Sequence, residues 1–166
     1  IDPWEDTERK LAAAAPVTGR VLDTTMGLGY TAIGAARTSL SVVTVEVDPG
    51  VVAIARRNPW SAPLFDDPKI ERRMGDAAQV VPTLPDAAFD LILHDPPTIQ
   101  LAGDLYAEPF YRELRRVLAR RGRLFHYVGS PESRQGAILT RGVIRRLRDA
   151  GFGQVKAAPG AYGVVA

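Results

Sequence analysis

Short β-branched runs alternate with helical patterns along this chain, and that alternation does most to fix its fold class. Arg20-Val-Leu-Asp23, Ser41-Val-Val-Thr-Val-Glu46, Ile70–Met74, Phe89-Asp-Leu-Ile-Leu-His94 and Arg123-Leu-Phe-His-Tyr-Val128 each read as a strand. Between them, Tyr30–Arg37, Pro49–Arg57 and the stretch holding Phe110, Leu114, Val117 and Leu118 have helical character. Pro49 suits a first helical turn, where its missing N–H costs least. Val143, Ile144 and Leu147 repeat the helical spacing after the fifth strand, and Gly151 is placed to stop that helix. Such alternation implies parallel strands joined by right-handed crossovers, with helices on both faces of the sheet. Residues 154–166 read as two short strands around Pro159-Gly160, an antiparallel hairpin. The expected fold is an open α/β sheet that ends in that hairpin.

Composition narrows the function classes. With 166 residues, 46% of them hydrophobic, the chain fits one domain over 1–166 with a real core. The absence of Cys excludes a disulfide scaffold, and no apolar run approaches the roughly 18 residues of a membrane span. A cytoplasmic protein without a membrane partner is expected. The chain opens at Ile1 rather than Met, so residues 1–19 read as a lead-in, the remnant of a longer N-terminal segment. Of the 21 basic residues only Lys10, Lys69 and Lys156 are Lys. The Arg clusters at 112–123 and 141–148 read as solvated helix faces, with phosphate binding as the alternative.

In sheets of this kind, ligands bind beyond the carboxyl ends of the strands, where strand order reverses. The residues delivered there are Asp23 to Thr31, Glu46-Val47-Asp48, Gly75-Asp76-Ala77, His94-Asp95-Pro96-Pro97 and His126-Tyr127. The Gly27-Leu-Gly29 turn allows close backbone approach to a ligand, and Glu46 is a carboxylate suited to both hydroxyls of a ribose. Gly27-x-Gly29-x-x-Ala32 also satisfies a relaxed dinucleotide fingerprint, with Glu46 roughly 20 residues beyond. Asp23 argues against a dinucleotide, because a carboxylate there suits a cationic amino-acid tail and repels a pyrophosphate. Asp76 with the Ala77 backbone N–H is placed to bracket an adenine edge.

Five ordered motifs carry a resemblance: Val21-Leu-Asp-Thr-Thr-Met-Gly-Leu-Gly29, Val45-Glu46-Val-Asp48, Gly75-Asp76-Ala77, Phe89-Asp90 and His94-Asp95-Pro-Pro97. Together they resemble the class I S-adenosylmethionine (SAM) dependent methyltransferases, over about Arg20 to Ala166. More narrowly, Gly27-Leu-Gly-Tyr-Thr31, Asn58-Pro-Trp-Ser61, Ala102-Gly-Asp-Leu-Tyr106 and Phe125-His-Tyr-Val-Gly129 resemble uncharacterised methyltransferases known chiefly from archaea. The resemblance implies a Rossmann-like open twisted sheet of order 3-2-1-4-5-7-6 and SAM as cofactor. It implies Asp23, Thr25, Gly27, Gly29, Tyr30 and Thr31 at the methionine moiety, Glu46 and Val47 at the ribose, and Asp76 and Ala77 at adenine. No metal is implied.

Asp95-Pro96-Pro97 is similar to the tetrapeptide of amino-methyltransferases, in which an acid and a proline carbonyl hold the amine. The fourth position here is Thr98 and lacks the aromatic that stacks on a nucleobase. An amine acceptor is therefore expected, whether on a small molecule, RNA or a protein side chain. His94 and His126 are the only histidines; both are candidates to bind the acceptor or take a proton. Tyr106, Tyr111 and Tyr127 are candidates for the acceptor pocket, and Trp60 is expected to pack between the second helix and the third strand. Asp104-Leu-Tyr-Ala-Glu-Pro-Phe-Tyr111 also resembles aminopropyltransferases such as spermidine synthase, which use decarboxylated SAM. Those enzymes carry an acid inside the glycine turn, where this chain has Leu28 and Tyr30, and an Asp-rich stretch after strand four. The expected activity is thus SAM-dependent methyl transfer to an amine nitrogen. Aminopropyl transfer, a non-catalytic nucleic-acid or partner-binding role and an NAD-binding domain are the alternatives. A homodimer is one assembly open to the chain, and the sequence leaves the oligomeric state unassigned.

Overall fold

The computed structural model describes residues 2–130 and 133–166; Ile1 of the lead-in lies outside them. Seven strands form one sheet in the order β3-β2-β1-β4-β5-β7-β6. The strands are β1 (Arg20–Asp23), β2 (Ser41–Glu46), β3 (Ile70–Met74), β4 (Phe89–His94), β5 (Leu118–Tyr127), β6 (Lys156–Ala158) and β7 (Gly163–Val165). The first five pair in parallel, and β7 runs antiparallel to both β5 and β6. The chain builds outward from β1 to β3, then returns to the other side of β1 with β4. The order therefore reverses between β1 and β4, and the ends of these two strands frame the ligand position of such a sheet.

Alternate side chains of the central strands enter two cores. Leu22, Ile92 and Leu124 face α6 (Glu108–Val117) and α7 (Arg134–Asp149), while Val21, Leu91 and Leu93 face α1 (Pro3–Ala14) and α2 (Tyr30–Ala36). The intervening helices are α3 (Pro49–Arg57), α4 (Ala62–Asp66) and α5 (Ala77–Val80). Among the described residues no helix is long and apolar enough to cross a membrane.

The structure departs from the sequence reading in four places. The lead-in is a helix: Asp2 caps it by accepting from the Trp4 and Glu5 backbone N–H groups, and α1 packs on α2 and β5. The fifth strand begins at Leu118, not Arg123, because Leu118 pairs with Phe89 and a register shift then realigns Arg123 with Leu91. Trp60 is 57% exposed, because the turn at Asn58 directs the buried Ser61 inward and Trp60 outward. The Arg clusters are partly structural. Arg116 reaches Asp86, Glu113 and the carbonyls of Val81, Pro82 and Leu84, and Arg123 donates to the carbonyls of Ala14, Ala15 and Pro16.

The turn after β1 needs glycine for two different reasons. Gly29 has φ +82° and an added Cβ would lie 2.6 Å from Leu64 Cδ2, whereas Gly27 has φ +53° and a Cβ there would meet nothing within 4 Å. Gly29→Ala is expected to cost about 3 kcal/mol, from backbone strain and overlap together, and Gly27→Ala about 1 kcal/mol from strain alone. Urea unfolding of both variants measures the difference, and equal costs would contradict the packing argument.

Candidate functional site

The ends of β1 and β4 are sewn together by two threonines. The Thr24 backbone N–H donates to the Leu93 carbonyl (3.1 Å), and the Thr25 hydroxyl donates to the Asp95 carbonyl (2.6 Å). Glu46 does the equivalent work on the other side. Its Oε2 accepts from the Gly27 N–H and its Oε1 from the N–H groups of Val47 and Asp48, each at 3.0 Å. The Met26 N–H reaches the Val45 carbonyl (2.7 Å) and the Gly75 N–H the Glu46 carbonyl (2.8 Å). The loops after β1, β2 and β3 thus converge on one residue. Asn58 supports the glycine turn from outside, donating to the Tyr30 and Ser61 hydroxyls (both 2.9 Å), while Ser61 donates to the Leu28 carbonyl (2.7 Å).

These loops enclose a cavity of about 750 Å³. Thr25, Gly27, Gly29, Tyr30 and Thr31 line it from the first loop, with Glu46, Val47, Asp76 and Ala77 from the next two and Asp95 and Pro96 from β4. Asp76 also caps α5, accepting from the Ala78 N–H at 2.9 Å. The wall is acidic: Asp6, Glu46, Asp76, Asp95 and Asp104 against one cation, Lys10. Such a wall suits a cofactor with a sulfonium and an ammonium, and opposes a pyrophosphate. The volume falls within the range of ordinary small-molecule sites.

Three residues expected at the ligand lie elsewhere. Asp23 is fully buried behind the turn and does not line the cavity; its Oδ2 accepts from the Thr44 hydroxyl at 2.6 Å. Burial pushes its carboxyl up to about 7, against the pull of the Thr44 hydroxyl. His94 and His126 are also fully buried, with ring centroids 4.3 Å apart, and line neither this cavity nor the one beside it. The His94 Nε2 lies 2.9 Å from the Leu105 carbonyl, which can only accept, so Nε2 carries the proton and Nδ1 accepts from the Thr24 hydroxyl (2.7 Å). Burial lowers His94 to about 4 and takes His126 well below its ordinary value, so both rings are neutral at neutral pH. His126 Nε2 meets the Tyr111 hydroxyl at 2.8 Å. The pair is a polar layer beneath the site, which corrects the expectation that either takes a proton from the acceptor. Of the three tyrosines, Tyr111 belongs to this layer, whereas Tyr106 and Tyr127 line the neighbouring cavity.

Sequence reasoning missed Lys10, whose ammonium lies 2.5 Å from Asp95 Oδ2, 2.7 Å from Asp6 Oδ2 and 4.3 Å from the centre of the Tyr127 ring. Burial lowers Lys10, but the two carboxylates outweigh it and its pKa is raised overall. For Asp95, burial raises the pKa and the Lys10 ammonium offsets only part of that, so the net direction is up. The one available signal was that Lys10 is one of only three Lys in an Arg-rich chain.

A family model described as a methyltransferase domain matches residues 22–126. The chain belongs to that family. The match spans the strands and loops that build the cavity, and the cofactor of these methyltransferases is SAM. An uncharacterised protein of Methanocaldococcus jannaschii is 48% identical over 168 residues, covering 100% of this chain and 58% of that protein. Polyamine aminopropyltransferase 2 of Streptomyces coelicolor is 34% identical over 123 residues, covering 70% of this chain and 22% of that protein. The methyltransferase domain thus spans less than two thirds of either curated relative. Among solved structures, a spermidine synthase in complex with the transition-state analogue AdoDATO superimposes with a TM-score of 0.80 at 23% identity. That superposition covers 90% of this chain and 53% of that one.

Replacing Lys10 by Met leaves Asp95 beside Asp6 without its counter-ion. The side chains are 9% and 25% exposed, so the cost is discounted to about 2 kcal/mol. An unpaired Asp95 has its folded-state pKa raised further above the unfolded value, so the variant loses stability as pH rises through that interval. The deficit of Lys10→Met is expected to be largest near pH 8, to shrink towards pH 4, and to be relieved by adding Asp95→Asn. Thermal melting across that range checks it, and a pH-independent deficit would refute the pairing argument.

Proposed function

We propose that this domain transfers a methyl group from SAM to an amine nitrogen. The observation that carries the reading is the cation site on Asp95. At the end of β4, on the cavity wall, Asp95 already holds an ammonium, that of Lys10, at 2.5 Å. An acceptor amine needs the same chemistry: a carboxylate to receive N–H groups and to offset the positive charge that develops on nitrogen. SAM, when bound, supplies an electrophilic methyl on a sulfonium. The acid-rich wall would hold that cationic cofactor, with Glu46 at the ribose hydroxyls, Asp76 at adenine and the first loop around the amino-acid tail. Asp95 and the Pro96 carbonyl would orient the nitrogen, and positioning of this kind accounts for most of what a displacement with a good leaving group requires. A neutral amine loses its proton to water after transfer, so the reading needs no buried base. That agrees with His94 and His126 being sealed away.

Aminopropyl transfer is the second reading, favoured by the 34% identity to an aminopropyltransferase over 123 residues. Against it, the glycine turn carries Leu28 and Tyr30, with no acid at either position. The two reactions leave different products, S-adenosylhomocysteine and 5′-methylthioadenosine. Calorimetry is expected to give tighter binding of S-adenosylhomocysteine, by about tenfold, because only that product keeps an amino-acid tail for the first loop. Preference for 5′-methylthioadenosine would move the assignment to aminopropyl transfer, and binding of neither would refute both.

A further inference from the structure

A second cavity, of about 1130 Å³, adjoins the first, and Pro96 and Pro97 line both. Its apolar lining includes Ile99, Val128 and Leu139, with Ile138 left 53% exposed at its side. The rings of Tyr106 and Tyr127 line the same space, and the Tyr106 hydroxyl is fixed by donating to the Pro97 carbonyl at 3.0 Å. The Tyr127 ring also carries the Lys10 ammonium that is paired with Asp95, so this groove leads to the Asp95 cation site.

The charge of this groove is opposite to that of its neighbour. Arg141 and Arg145 lie one turn apart on α7, both line the groove, and neither has an ion pair or hydrogen bond among the described residues. Arg146 is committed, its Nε donating to the Tyr106 carbonyl at 2.8 Å. None of the described residues lining the groove is Asp or Glu, whereas five carboxylates line the first cavity. Two guanidiniums beside an apolar wall, with no acidic partner among the described residues, suit an anion, since Arg presents its donors in a fork matched to carboxylate or phosphate.

We infer that the groove holds the methyl acceptor, and that this acceptor is a small amphipathic amine. Its nitrogen lies at Asp95, its apolar or aromatic middle lies against Tyr106, Tyr127 and Ile99, and its far end carries an anionic group on Arg141 and Arg145. The inference rests on the methyl-donor reading of the first cavity. A polyamine, cationic along its length, has the wrong charge for this groove.

Tyramine phosphate and tyramine share one amine and one ring and differ only in the anion, so they test the assignment directly. With S-adenosylhomocysteine at saturation, calorimetry is expected to show tyramine phosphate binding about tenfold more tightly than tyramine, and spermidine more weakly than either. Arg141→Ala/Arg145→Ala is expected to bring the two tyramines to similar affinity while S-adenosylhomocysteine binds as in the wild type, which also reports that the variant is folded. Arg141→Lys/Arg145→Lys is expected to keep part of the preference. Equal binding of the two tyramines, no binding of either, tighter binding of spermidine, or a preference that survives the alanine pair would each overturn the inference. Failure of S-adenosylhomocysteine to bind would instead count against the methyl-donor reading, and the tyramine comparison can then be made without it.

Discussion

Two adjacent threonines hold together everything that this domain does. Thr24 and Thr25 bind the end of β1 to the end of β4 at the point where the strand order reverses, through bonds of 3.1 Å and 2.6 Å to backbone carbonyls. Each bond is worth only about 1 kcal/mol in stability. Their larger consequence is positional, because they fix the glycine turn relative to Asp95. The loop that would grip the methyl donor and the carboxylate that would hold the acceptor are thereby parts of one rigid seam. The Thr24 hydroxyl extends that seam downward into the buried His94.

Around the seam, charge is segregated. The donor cavity collects acids, with Lys10 alone to balance them, and the adjoining groove presents Arg141 and Arg145 against apolar walls. Charges beside partly enclosed cavities interact more strongly than charges in open water. Each space therefore selects by sign as well as by shape. On the proposed reading, a cationic cofactor on one side and an anionic tail on the other would leave the reacting nitrogen at the boundary, where Asp95 and Lys10 meet.

The fold was almost fully legible in the sequence, because hydrophobic periodicity dictates elements and alternation dictates topology. The hairpin and the glycine turn follow from residues adjacent in the chain, whereas the strand order came with the resemblance to the methyltransferase family. The site was legible only in part. Eleven positions named from motifs line the donor cavity, since each lies at a strand's carboxyl end or in the turn and first helical residues that follow it. Asp23, His94 and His126 do not line the cavity: alternation along β4 and β5 turns His94 and His126 onto the face shared with Ile92 and Leu124, against α6, and Asp23 is engaged by Thr44. All three turn into the sheet, where burial keeps the histidines neutral. Lys10 was invisible because its meaning depends on α1 folding back over β5, an 85-residue separation from Asp95 that no local pattern encodes. Arg120 and Arg121 disguised the start of β5 as a helix end, although Leu118 already pairs with Phe89.

The central claim is that the acid-lined cavity between β1, β2 and β4 holds the methyl donor with its reacting end towards Asp95. A crystal structure of the complex with S-adenosylhomocysteine tests this most directly. The account predicts ribose hydroxyls on the Glu46 carboxylate, adenine beside Asp76 and the sulfur facing Asp95 and Pro96. A nucleoside bound outside this cavity, or one turned so that its sulfur faces away from Asp95, would contradict it.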